Sequence, residues 1–544
     1  MKKSLRTLCR LLLLFALFSA MPSASGETLP LSGGVLRWRD VGDPPKLDPA
    51  GPGDTSSGRG IYLMFETLVE NAPDGERLLP RLAESWEGSE GGRVWTFHLR
   101  KGVRFHSTIR GRPSANGGRE ALAADWKYSF ERLVRTKSPR AYFVDMIQGY
   151  KDFAEEKASE WTGIKVVDEH TIRFELDYAF APFVSILAYN AFVVVPREDA
   201  ERPGADFSFN PVGTGPFILE KWEHDQRLVY TRNPDFWMRD AHGSSLPYLD
   251  GVEIVIIPDD TIAYEEFKKG NIDVLPELPD EFYADAKQRF GDLLQGRPML
   301  GVYYVGFNCA KPPFKDNRTL RKALNYAVNK QAMSDYLLEG RYAPSRGVLP
   351  PGVPGYSPDL EGYEYSPETA RKMLAEAGIR EGFQIELVVN NNLRHRTVAE
   401  GLQGLLAEFG IDLRVSVVDW GVHLDLVDRG ETQMYRMSWI ADYADPDNFL
   451  YVLFYSENRG VKGNYSYYSN DRVDELLVAA RVETDFDKRM ALYREAERII
   501  VDDAPWMFLF YYTTSLLGGE RVKDMRLPLF GQHATPLEAV WIAR

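Results

Sequence analysis

Residues 366–419 run helix, strand, helix, strand, and no other stretch constrains the fold as strongly. Ser366 and Pro367 offer a helix cap and a first-turn proline, and Gly378 ends the segment. Phe383, Ile385, Leu387 and Val389 then alternate as a half-buried strand. A second helical segment runs to Gly410, and Ile411, Leu413, Val415 and Val417 alternate again. This order predicts α/β layering. Further strands are expected over 35–41, 94–99, 302–307 and 506–512, with a hairpin over 164–176. Further helices are expected over 122–135, 471–480 and 486–502, and Leu320, Ala323, Leu324, Ala327 and Val328 form another apolar helical face. At 544 residues the chain has room for three or four units of ~150 residues each.

The first 26 residues read as a leader rather than as fold. Lys2, Lys3, Arg6 and Arg10 precede an apolar run from Leu11 to Phe18, and small residues follow up to Gly26. The apolar run is too short for a membrane span of ~20 residues. Cleavage after Ser25 or Gly26 is expected, which makes this an exported, periplasmic protein. Cys9 precedes the apolar run, so it is not a lipidated residue at the cleavage site. Removing the leader takes four positive charges, moves the formal charge from -14 to -18, and leaves Cys309 as the single cysteine. No internal disulfide is then possible, and the fold must be held by its core.

Several chemistries are excluded. No stripe of Lys and Arg marks a nucleic-acid surface. The eight histidines form no HxxxH or HExxH pair, so no metal-site spacing can be written, and no cofactor is expected. There is no Walker A loop and no GxSxG elbow. Gly213-Thr214-Gly215 begins like a dinucleotide loop, but Pro216-Phe217 follows and no third glycine does. A glycosidase needs only two suitably spaced carboxylates, so a secreted hydrolase stays open as an alternative.

The stretches PVGTGPF (211–217) and RNPDFW (232–237) resemble signatures of extracellular solute-binding proteins serving peptide-type ABC importers, the oligopeptide/dipeptide/nickel-binding family 5. Similar blocks lie at 82–106, 246–260, 270–274, 306–330 and 439–450, in order along the chain. Ser107 to Leu122 departs from the family pattern by its length. The resemblance implies a two-lobed periplasmic-binding-protein fold with a hinge and an inserted extra domain. Lobe I takes 27–57, about 205–285 and about 510–544; the insert takes 58–204; lobe II takes 286–509. The hinge crossings then fall near 285 and 510.

The resemblance also implies a site. A peptide needs main-chain partners, a carboxylate for its ammonium, and an arginine for its carboxylate. Asp442 matches the ammonium-binding acid; the competing role, capping a helix near Asn448, suits Asp445 and Asp447 better. Arg436 matches a carboxylate-binding position, against the alternative of an ordinary intramolecular ion pair. Ser438 and Ile440 are expected to pair with ligand main chain. Trp439 forms a pocket wall or a buried structural indole. Asp40, Val41 and Gly42 resemble a second backbone-contacting segment, and Tyr443 and Tyr128 are further candidates.

The expected function is capture of a small peptide by a monomeric, non-enzymatic component that delivers it to a membrane permease. Nickel, haem, opine or sugar ligands are alternatives within the family. The scattered histidines argue weakly against nickel, and the Asp442/Arg436 pair favours a zwitterion. A chaperone-like holdase is a further rival.

Overall fold

The computed structural model describes residues 30–51, 55–73, 75, 77–202, 206–276, 278 and 280–544. The leader expected over 1–26 lies outside the described residues. Among those described, no helix is long and apolar enough to cross a membrane.

One sheet of eleven strands joins two halves of the molecule. On one side lie Phe217–Glu223, Arg227–Arg232, Gly251–Ile256, Val35–Asp40 and Val274–Pro276. On the other lie Met434–Ile440, Phe383–Asn390 and Ile411–Val418. Between them run two long antiparallel strands, Leu294–Phe307 and Trp506–Gly518, with the short Ala343–Pro344 beside the latter. Val35–Asp40 is parallel to Gly251–Ile256, and Phe383–Asn390 is parallel to Ile411–Val418. These are the layers anticipated from the helix–strand alternation. Ser366 caps the helix Pro367–Glu376 through the Thr369 N–H, and Gly378 turns the chain at φ 76°.

Each half has its own core. Leu36, Trp38, Phe217 and Ile254 gather in the first; Tyr304, Trp506, Phe449 and Tyr493 gather in the second, with Val305, Leu387 and Leu402 on the opposite face of its sheet. A third core, built between Leu68 and Val194, surrounds the four-stranded sheet of Ala83–Ser89, Val94–Leu99, Thr171–Glu175 and Ile164–Asp168. The helix Thr55–Met64 and residues Val193 and Val195 pack into the first core. The third core is therefore narrower at both ends than the span 58–204.

The long segment at 107–122 is accounted for. It forms the hairpin Thr108–Ile109/Arg112–Pro113, whose Arg110 N–H donates to the Leu219 carbonyl at 2.8 Å, against the outermost strand of the large sheet. Ile109 packs into the first core. The insertion covers a sheet edge that would otherwise be open.

Candidate functional site

The strand Met434–Ile440 lies beside Leu294–Phe307 in the register Gly301↔Ile440, Val302↔Trp439, Tyr303↔Ser438. On its other side it meets Phe383–Asn390 only at Leu387↔Met434 and Val388↔Tyr435. From Arg436 onward that second edge carries no strand among the described residues. The Ala441 N–H donates to Leu300 O at 2.8 Å. Hydrogen-bonding direction alternates along an antiparallel strand, so the amides and carbonyls of Ser438 and Ile440 point to the open side. The Arg436 carbonyl has the same parity, and it accepts from the His423 Nε2 side at 2.8 Å. An extended ligand backbone has a matching edge here.

Arg436 begins this edge. It is 4% exposed and makes no salt bridge among the described residues. Its Nη2 donates to Tyr512 Oη at 2.9 Å and Ser438 Oγ at 3.3 Å, and Nη1 to Asn390 Oδ1 at 3.4 Å. The guanidinium carbon sits 4.5 Å from the centre of the Tyr303 ring. Its Nε has no hydrogen-bond partner among the described residues. A buried cation held only by neutral groups is what an incoming carboxylate would neutralise. His395 lies on the same side, with Nδ1 at 3.2 Å from Tyr303 Oη. Burial, together with the Arg436 and Arg394 charges, holds its pKa down at about 3, so the ring is neutral.

Asp442 closes the other end. The strand stops at Ile440, and the turn is fixed by Asn448, whose Oδ1 accepts from both Trp439 Nε1 at 3.0 Å and the Asp442 N–H at 3.1 Å. The capping is done elsewhere: Asp445 caps the helix Pro446–Phe454 through the Asp447 N–H, 2.9 Å away. Asp445 is also paired with Arg489, and Asp447 with Arg481 at 3.1 Å. Asp442 is half-buried and makes no salt bridge among the described residues. Burial holds its carboxyl above the ordinary range, with Arg140 and Asn448 drawing it partly back.

The other expected residues divide. Trp439 is partly buried and packs against the core of the second half. Tyr443 is buried in the third core, edge-on to Phe143, with its hydroxyl donating to Asp447 Oδ2 at 2.9 Å. In the Asp40–Gly42 segment, Asp40 O already accepts from the Ile257 N–H, and the Val41 N–H is tied to Asp40 Oδ1 at 2.7 Å. The Asp40 carboxylate turns inward to Ser56 Oγ and Arg59. Tyr128 lines a different hollow, with Arg197 and Glu201.

Asp442, Ile440 and Tyr443 line a cavity of about 230 Å3 that is completed by all parts of the molecule. Gly58 and Tyr62 come from the helix Thr55–Met64, Arg140 and Tyr189 from the inserted unit, and His533 from the C-terminal segment. Asp40, Val41 and Gly42 do not line it. Arg140, Tyr62 and His533, like His395 and Tyr512 near Arg436, were not among the expected residues. No local spacing marks any of them.

A family profile described as bacterial extracellular solute-binding proteins, family 5 Middle, matches residues 77–460. The dipeptide-binding protein of Escherichia coli (strain K12) is 32% identical over 485 residues, covering 86% of this chain and 88% of its own. Heme-binding protein A of Haemophilus influenzae is also 32% identical, over 469 residues, covering 83% of this chain and 82% of its own. Among solved structures, the unliganded open form of a periplasmic murein tripeptide binding protein superposes with a TM-score of 0.81 at 25% identity, covering 95% of this chain and 99% of that one.

Proposed function

The chain belongs to the bacterial extracellular solute-binding proteins of family 5, and on that premise we propose that it captures a short peptide for the permease of an ABC importer. The observation that carries this reading is the open strand edge at Ser438 and Ile440. It lies between a buried arginine and a half-buried acid, neither of which makes a salt bridge among the described residues. Asp442 receives the α-ammonium, Arg436 the α-carboxylate, and the strand edge the main chain between them. Six residue steps, from Arg436 to Asp442, span at most about 20 Å, which leaves room for a few peptide residues. A haem-binding relative shares the same identity, so similarity alone does not choose the ligand; the paired charges favour a zwitterion.

The working unit is a monomer, without enzymatic activity, that acts in the periplasm after loss of residues 1–25 or 1–26. Lobe I comprises the N-terminal strand and helix to about 66, residues from about 195 to 298, and those from about 513 onward. The inserted domain lies between, and lobe II occupies 302–511. The two long strands lose their regular pairing between Pro298 and Val302, opposite Tyr511–Thr513. We place the hinge there, so the first crossing moves from 285 to about 300.

The test is binding of tripeptides with free or blocked termini, read by calorimetry. Asp442→Ala is expected to cost about 2–5 kcal/mol for free-amine peptides and little for N-acetylated ones. C-terminal amidation is expected to weaken binding to the wild type and not to Arg436→Met. Equal losses for acetylated and free peptides would sink the ammonium role. Release of cleaved product during the titration would point to a hydrolase instead.

A further inference from the structure

A second cavity, of about 180 Å3, adjoins the Asp442 cavity and shares the walls Tyr62, Asn71, Ala188, Asn190 and Phe530 with it. It lies where lobe I, the inserted domain and the C-terminal segment meet. Its remaining walls are mostly apolar, among them Phe65, Val193, Pro216, Leu527, Leu529 and Leu537. Its charged end is largely matched within itself. Arg81 reaches Glu66 at 2.8 Å, Glu538 at 2.6 Å and Glu70 at 3.2 Å, and Arg526 is the other cation on the wall.

We propose that this cavity receives the side chain of the ligand's first residue, and that it selects an apolar side chain of about leucine to phenylalanine size. The inference rests on the reading of Asp442 as the ammonium partner. The first Cβ is two bonds from the ammonium nitrogen, so once the ammonium is held at Asp442 the side chain must enter a space bordering that cavity. The adjoining cavity is such a space. Its walls return the free energy of burying apolar surface. They offer a polar tip little to replace its water. An acidic tip meets three carboxylates against two arginines. Glycine leaves the space empty.

The affinities of Leu-Ala, Phe-Ala, Gly-Ala, Lys-Ala, Glu-Ala and Ala-Leu, measured by calorimetry on ligand-stripped protein, decide the matter. Leu-Ala and Phe-Ala are expected to bind about 10- to 100-fold tighter than Gly-Ala, with Glu-Ala weakest. Ala534→Leu, on a wall that does not border the Asp442 cavity, is expected to abolish the preference for Leu-Ala while leaving Gly-Ala within about threefold of wild type. If that variant does not fold, the wild-type series decides alone. Lys-Ala binding tighter than Leu-Ala would show that the carboxylates, not the walls, select, and would overturn the proposal. Equal affinities would do the same, as would discrimination that follows the second residue in Ala-Leu. N-acetyl-Leu-Ala separates the two readings. Loss of its binding together with a flat first-residue series rejects the cavity alone. Retained binding rejects the role of Asp442, and the cavity assignment falls with it.

Discussion

Glu497 shows how one buried charge can make stability depend on pH. It is 1% exposed and makes no salt bridge among the described residues. Its Oε1 accepts the Val348 and Leu349 N–H groups, each at 2.8 Å. Burial outweighs these two bonds and lifts its pKa to about 7. The folded state therefore holds this proton more tightly than the unfolded chain does. The resulting stability is fully present below the unfolded value, about 4.3, and is lost as pH rises through about 7. Gln keeps the accepting oxygen and removes the charge. Glu497→Gln is expected to raise unfolding stability at pH 8 by about 1–3 kcal/mol and to change it little at pH 4. Urea titrations at both pH values check this; equal effects at the two would show that ionisation is irrelevant. His106 behaves oppositely. It is fully buried, with Nε2 at 2.9 Å from the Gly215 carbonyl, and burial lowers its pKa to about 4. Its contribution is present above pH ~6.5 and is lost as pH falls through about 4.

At the scale of elements, the site is only as well placed as the helix that follows it. The start of Pro446–Phe454 is held by the buried Asp445–Arg489 pair, and Asn448 in its first turn fixes Asp442. Removing one member of a buried pair strands the other charge. Asp445→Ala is expected to cost about 3–5 kcal/mol of stability and to weaken peptide binding with it. The double variant Asp445→Leu/Arg489→Met is expected to recover much of the stability, and denaturant unfolding of the three proteins compares them. The elements themselves were legible where one face is buried: 383–390 and 411–418 alternate, and the helix at 318–326 presents its apolar face. The long hinge strands were half legible. Thr513 and Thr514, like Gly296, Arg297 and Pro298, show no apolar alternation, and their strand continuity comes from pairing with each other. The signature PVGTGPF was readable as a motif but not as a cause. A Cβ on Gly213 or Gly215 would meet the Met64 backbone at 2.1 or 2.5 Å, so the motif closes lobe I against its helix where the inserted domain departs. Asp442, Ser438 and Ile440 could be named because they share one stretch. Arg140, Tyr62 and His533 could not, since only the tertiary fold brings them to Asp442.

At the scale of the whole molecule, the inserted domain is bound to both lobes. It holds lobe I through the His106 and Arg110 backbone bonds to Gly213 and Leu219. It touches lobe II where the Ala181 N–H donates to Arg481 O at 2.8 Å and where Phe143 meets Tyr443. The strands joining the lobes are irregular at the proposed hinge. On that proposal the lobes turn about residues 298–302 and 511–513, and a ligand touching Asp442, Arg436 and the inserted domain would favour the turned-in state. A saturating peptide at 100 times its Kd contributes about 2.7 kcal/mol. For a chain of this length that corresponds to a rise in Tm of about 2–3 °C. The same peptide is expected to reduce the radius of gyration measured by small-angle scattering, and Asp442→Ala to need far more peptide for either change. A rise in Tm with an unchanged radius of gyration would mean that the site is already closed and that the irregular pairing at Pro298 and Val302 is not a hinge.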